Sequence, residues 1–194
     1  MHVTPYPDVD QLLNDLLDQM LRILGEELAG LYLYGSLVTG DFDHKVSDVD
    51  LLAVVWSDVD QGQFERLQAM HDDLEADYPA WKGRIEVQFV SSRALQTFRT
   101  ESSQIAAISP GEPFHFKDAG REWAINWYII RESGRALYGK DPKAHIPPIS
   151  KQEYLQVVRE HAKMWLEIEW EGNQYEQSYA ILTMCRALYA AQYG

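Results

Sequence analysis

Leu33-Tyr34-Gly35-Ser36 and, past residues 37–47, Asp48-Val49-Asp50-Leu51-Leu52 form the stretch on which the reading of this chain turns. A short β-prone run ends in a glycine turn, and a second run opens with two acids one residue apart. Side chains alternate between the faces of a strand, so Asp48 and Asp50 project from the same side, a few ångströms apart. Two like charges held that close repel each other unless a cation lies between them. One or two carboxylates, completed by water and phosphate oxygens, are what Mg²⁺ prefers. Glycine lets the backbone approach a phosphate closely, and the serine hydroxyl adds a donor at a helix start. Together the two segments point to a metal that handles a nucleotide.

Upstream, Leu12, Leu13, Leu16, Leu17, Met20, Leu21, Leu24 and Leu28 recur at helical spacing with acids on the other face. The pattern predicts an amphipathic helix over 9–28, closed by Gly30, before a strand over 31–34. Residues 48–56 read as a second strand, apolar on both faces beyond its acids and therefore central in a sheet. A helix over 58–76 follows, and the alternation of Arg84-Ile85-Glu86-Val87-Gln88-Phe89-Val90 predicts a third strand. A short helix is expected over 92–98, a loop at Ser109-Pro110-Gly111-Glu112-Pro113, and an extended segment at 114–116. Residues 123–137 read as an aromatic-rich helix. Pro142 and Pro147-Pro148 form a stiff connector, and the domain boundary is expected there. Ser150, with Glu153 three residues on, is a capping-box pattern for a helix to about residue 169, and a last helix covers 174–192. The order of elements predicts an α+β chain: a small mixed sheet flanked by helices over residues 1–148, and a C-terminal helical domain over 149–194.

The composition narrows the classes of partner. Thirty acids against 17 bases give a net charge of −13, which disfavours attraction to a nucleic-acid backbone. The same field draws cations. The N-terminus has no signal-peptide pattern and no apolar run approaches membrane length, so a cytoplasmic protein without a membrane partner is expected. The lone Cys185 reads as a small core residue, and the six histidines, which lack metal-ligand spacing, as surface or capping groups.

Glu86 lies on the predicted third strand with a parity opposite to Ile85, Val87 and Phe89, so it can face the same cleft as Asp48 and Asp50. A third carboxylate there completes a metal shell or accepts a proton from an attacking hydroxyl.

With these residues in hand, the chain resembles the nucleotidyltransferase superfamily, whose signature is Gly-Ser, a spacer, Asp-hydrophobic-Asp and a third acid on a later strand. Within it, the sequence is most similar to the aminoglycoside adenylyltransferases of the streptomycin/spectinomycin type. The resemblance implies that Asp48 and Asp50 bind Mg²⁺, with Glu86 beside them as third acid and catalytic base. It implies that Gly35 and Ser36 hold the phosphates of ATP. Gly111-Glu112 matches a Gly-Glu pair that contributes an acid to the drug site. Thr183-Met184-Cys185-Arg186 is similar to the family's Thr-Leu-Ser-Arg, whose arginine reaches the triphosphate, and Glu176, ten residues earlier, matches an acid that contacts the aminoglycoside. Trp165 and Trp170 are read either as aromatic surface nearby or as core. Family members continue for several dozen residues beyond the last helix, so the helical domain is expected to be either truncated or that of a shortened relative.

The implied function is transfer of AMP from ATP to a hydroxyl of an aminoglycoside-like cationic small molecule, with release of pyrophosphate. The same residues also suit a protein hydroxyl or another metabolite as acceptor, or a nucleotide-binding protein that has lost catalysis.

Overall fold

A computed structural model describes residues 2–167 and 174–193. Helix α1, Pro7–Leu24, buries Val9, Leu12, Leu13, Leu16 and Met20 along the stripe that its spacing predicts. It stops earlier than expected. Gly25 adopts a left-handed φ of 57°, a single turn covers Gly25–Glu27, and strand β1 begins at Leu28 and runs to Tyr34. Gly30 therefore lies within a strand, opposite Val54 and Gly139, and does not cap the helix. Leu28 fits the helical stripe and the inward face of a strand equally, which is why periodicity ran the two elements together.

After a one-turn helix α2, Ser36–Thr39, strand β2 covers Val49–Val55 and pairs antiparallel with β1. Helix α3, Gln61–Asp77, is opened by a complete capping box: Gln63 N–H donates to Asp60 Oδ1 at 2.7 Å, and Asp60 N–H donates to Gln63 Oε1 at 3.0 Å. It returns the chain to β3, Ile85–Ser91, which lies parallel to β2. The remaining elements are α4 (Ser92–Thr97), β4 (Ser103–Ile108), β5 (His115–Ala119), α5 (Ala124–Ser133), β6 (Arg135–Gly139), α6 (Lys151–Glu167) and α7 (Gln174–Tyr193).

The strands form one mixed sheet in the order β5-β4-β3-β2-β1-β6, so β2 is central as its apolar run requires. One face, carrying Leu31, Leu33, Leu51, Ala53, Val87 and Phe89, packs on α1 and α3. The opposite face, carrying Tyr32, Tyr34, Leu52, Val54 and Val90, packs on α4, α5 and α6. This is the α+β architecture expected.

Two strands were not foreseen. The segment Ser103-Gln104-Ile105-Ala106-Ala107-Ile108 has weak intrinsic β preference and is held by pairing with both β3 and β5. The predicted helix over 123–137 ends at Ser133, and Arg135–Gly139 instead adds an edge strand to β1, with Leu137 its only buried residue. Cys185 is exposed on α7, not in the core, because that helix packs chiefly on α6 and leaves its other sides open. Of the histidines expected at the surface or at caps, His71 and His145 are buried, at 2% and 6% exposure, and His145 caps the short turn Pro142–Ala144; tertiary packing covers them in ways that polar neighbours in sequence do not reveal. At Ser150 the cap forms, with Glu153 N–H donating to Oγ at 3.1 Å, but the Glu153 carboxylate accepts from Arg99 at 2.7 Å rather than closing the box.

Candidate active site

The site grows from the turn between β1 and α2. Gly35 has φ 67°, a region that glycine occupies without strain, and its carbonyl accepts from Val38 and Thr39 N–H at 3.0 Å each. A Cβ at this position would overlap the carboxylate of Asp50, with its Cγ only 2.7 Å away. The turn thus brings the backbone directly against an acid of the site. Ser36 follows, its Oγ buried and without a hydrogen-bond partner. A buried hydroxyl left so is costly, and an incoming acceptor oxygen would satisfy it.

Strand register aligns the acids. Tyr34 is opposite Asp50 on β2, and Asp50 is opposite Glu86 on β3, so the three form a row across the sheet on the face of α4, α5 and α6. Asp48 precedes β2 by one residue, and oxygens of Asp48, Asp50 and Glu86 all lie within 4.8 Å of one another. Glu86 is held from behind: Tyr34 O–H donates to its Oε1 at 3.1 Å, and Gln88 Nε2 donates to the same oxygen at 3.0 Å and to the Tyr34 hydroxyl at 2.8 Å.

Burial and crowding set the electrostatics. Burial first, then the neighbouring Asp48 and Glu86 charges, push the Asp50 carboxyl well above the usual range, against a partial offset from Arg186. Burial also raises Glu86, opposed by its hydrogen bonds from Gln88 and Tyr34 and by Lys117, while Asp48 adds to the rise. The Tyr34 phenol is pushed well above 10 by burial and by the charges of Glu86 and Asp50, so it stays a proton donor. Three hard oxygen donors that disfavour one another's charge, beside an unpartnered serine hydroxyl, fit a divalent cation and a phosphate.

The outer wall is strand β5. Gln88 pairs with Ala107, Ala107 with His115 and Ile105 with Lys117, so His115 and Lys117 share the face of Glu86. Lys117 Nζ donates to Glu112 Oε2 at 2.9 Å, and His115 Nε2 lies 3.8 Å from the same oxygen. Glu112, foreseen as an acid of the drug site, is thus at the rim of this face and already paired with a lysine. Arg186 is exposed on α7, close enough for its charge to bear on Asp50 and on the Tyr154 phenol. Tyr154 itself stacks on Tyr128 at 4.3 Å. Position 176 falls on α7 but the Glu176 side chain lies outside the described residues, as does Trp170 entirely. Trp165 Nε1 donates to His161 Nε2 at 2.9 Å.

Tyr34, Gln88 and Lys117 were not singled out from the sequence. Gln88 had a signal, since it follows Glu86 by two residues on the same strand face. Lys117 had none, because its contact with the face depends on a strand, β4, that sequence did not disclose.

Residues 13–108, which contain α1, the Gly-Ser turn and all three acids, match the profile of the nucleotidyltransferase domain family. No curated protein matches the sequence significantly. Among solved structures, the chain is similar to spectinomycin adenyltransferase AAD(9) from Enterococcus faecialis, solved with ATP and spectinomycin, with TM-score 0.75, 17% identity, and 94% of this chain and 75% of that one covered. It matches a toxin-antitoxin complex with AMP-PNP at TM-score 0.38 and 14% identity, covering 80% and 90% of the two chains. The identity to the adenyltransferase is that of a shared fold. Residues 13–108 are thus a nucleotidyltransferase domain, and the chain that carries it is a transferase enzyme.

Proposed function

We propose that the protein transfers AMP from ATP to a hydroxyl of a cationic, aminoglycoside-like small molecule and releases pyrophosphate. The observation that carries this reading is the Asp48, Asp50 and Glu86 cluster, with Glu86 held by Tyr34 and Gln88. Asp48, Asp50 and Glu86 would hold the Mg²⁺. When bound, the ion neutralises phosphate charge and polarises the reacting phosphoryl group.

The turn amides after Gly35 and the Ser36 hydroxyl bind phosphate oxygens. Glu86 orients the acceptor hydroxyl and takes its proton as the acceptor oxygen bonds to the α-phosphorus. The bond from that phosphorus to the β-phosphate oxygen breaks, and pyrophosphate leaves with the electron pair. The hydrogen bonds from Tyr34 and Gln88 fix the carboxylate that receives the proton. Arg186 supports the triphosphate from α7, and the helical segment after residue 148 forms the second wall of the cleft. Glu112 and Glu176 meet the ammonium groups of the acceptor, with the net charge of −13 favouring a cation throughout.

The test is pyrophosphate release by the purified protein with ATP, Mg²⁺ and a panel of aminoglycosides. Turnover that needs a cationic sugar and disappears in Asp48→Ala and Asp50→Ala supports the reading. Near-normal turnover in either variant, or turnover on neutral acceptors alone, overturns it.

A further inference from the structure

The end of the sheet remote from the acids carries a second concavity. Where β1 begins, β2 ends and β6 ends, a cavity of about 440 Å³ is lined by Glu26, Ala29, Trp56, Tyr138, Lys140 and His145 among others. This volume falls in the range that holds small organic ligands. Two exposed aromatic side chains line it: Trp56 is 56% exposed and Tyr138 36% exposed.

His145, only 6% exposed, lies behind them with its ring centroid 5.7 Å from that of Trp56. Its Nε2 is buried and has no hydrogen-bond partner. Burial and the nearby Lys140 hold this imidazole in its neutral form, with capacity for one more hydrogen bond. Lys140 makes no ion pair among the described residues. An unpaired lysine beside a cavity is notable in a chain of net charge −13.

The site is built rather than incidental. Tyr32 O–H donates to the Lys140 carbonyl at 2.9 Å, Gln96 Nε2 donates to the His145 carbonyl at 2.8 Å, and Arg131 Nη1 donates to the Ile146 carbonyl at 2.7 Å. These bonds fix the segment that carries the lysine and the histidine.

We propose that this cavity is a second small-molecule site, separate from the catalytic face, and that it takes a planar aromatic monoanion. The ring lies against Trp56 and Tyr138, the anionic group meets Lys140, and a polar edge satisfies His145 Nε2. Glu26, also in the lining, disfavours a second anionic group, as does the overall negative charge.

The test uses 2-naphthoate and its uncharged analogue 2-naphthol, titrated into the isotope-labelled full chain while the Trp56 indole N–H signal is followed by NMR. We expect saturable binding of 2-naphthoate at least tenfold tighter than that of 2-naphthol. Lys140→Met should erase this preference, Trp56→Ala should abolish both interactions, and Mg-ATP should displace neither. Trp56 and Lys140 are both exposed, and unchanged thermal melting of the variants checks that they fold. Equal affinity for the two probes, a preference that survives in Lys140→Met, or displacement by Mg-ATP overturns the proposal. So does self-association on sedimentation that Trp56→Ala removes while neither probe binds, since a second copy of the chain would then be the occupant.

Discussion

The carboxylate of Asp50 stands where a Cβ on residue 35 would be, so the glycine of the first turn and the acid of the second strand are fitted to each other. Gly35→Ala introduces a left-handed φ at a non-glycine residue, a strain of about 1–3 kcal/mol, and drives the side chain into that acid. The expected outcome is a fall in melting temperature of roughly 2–4 °C per kcal/mol for a chain of this size. A loss of Mg²⁺ affinity of about tenfold or more by calorimetry should accompany it. Unchanged ion affinity in a folded variant would separate the glycine from the proposed metal site.

Asp50 is the acid most crowded by like charge, and its ionised form is destabilised by burial and by Asp48 and Glu86. Replacing it with its neutral isostere relieves that repulsion. Asp50→Asn should raise the metal-free melting midpoint at pH 7 by the equivalent of about 1–2 kcal/mol while eliminating turnover. Stability gained with activity lost marks a residue kept for chemistry; a destabilised Asp50→Asn would mean that the carboxylate serves the fold.

Tyr34→Phe removes one of the two donors to Glu86 Oε1 and leaves Gln88 Nε2 bonded to Glu86 alone. The cost to stability should be about 1 kcal/mol, the ordinary net worth of a hydrogen bond. Because the lost bond positions the proton acceptor of the proposed reaction, kcat should fall about tenfold with KM for ATP little changed. Steady-state kinetics distinguishes this from a general loss of fold, which would lower the active fraction without altering the pH profile.

His71 supplies a pH dependence that is independent of the acids. Buried beside Phe89 and Phe114, its imidazole is held down to about 4, against an ordinary value of 6.5, because burial disfavours the cation. Its contribution is complete above 6.5, where both folded and unfolded chains carry a neutral ring. It is lost as the pH falls from 6.5 towards 4, since the unfolded chain gains a proton that the folded chain excludes. The slope should approach about 1.4 kcal/mol per pH unit. Asp50 and Glu86, whose carboxyls are raised, act in the opposite sense, but equally in a variant that keeps them. Chemical denaturation of the wild type and of His71→Leu between pH 4 and 7 should therefore show a flatter acid side in the variant.

What sequence could disclose about this fold follows from what each residue senses locally. Gly35, Ser36, Asp48, Asp50 and Glu86 were legible because turn chemistry and strand parity are properties of a few consecutive residues, and the parity of Glu86 becomes a register pair with Asp50 on folding. The apolar run of β2 likewise announced a central strand. The edge was illegible. The alanine-rich β4 and the mostly exposed β6 owe their form to neighbours distant in sequence, and with β4 hidden, nothing connected Lys117 to Glu86. Burial of His71 escaped for the same reason, since its covering Phe114 comes from the loop before β5.

The Lys117 to Glu112 pair yields the prediction that bears most directly on the acceptor. A cationic acceptor that uses Glu112 must displace the lysine bonded to it at 2.9 Å. The glutamate side chain is 50% exposed and the lysine 25%, so solvent screens the pair and its net worth is no more than about 1 kcal/mol. Lys117→Met keeps the length of the side chain over Trp123 and frees the carboxylate. KM for a cationic acceptor should then fall by up to about fivefold, the factor that 1 kcal/mol allows, and by less as salt is raised. Glu112→Gln should raise the same KM, and combining the two substitutions should bring no improvement over Glu112→Gln alone, because the lysine acts only through the acid it neutralises. Initial rates across acceptor concentration at two ionic strengths measure all three variants. A KM that ignores Lys117→Met while responding to Glu112→Gln would mean that the acceptor approaches the acid from the side opposite β5.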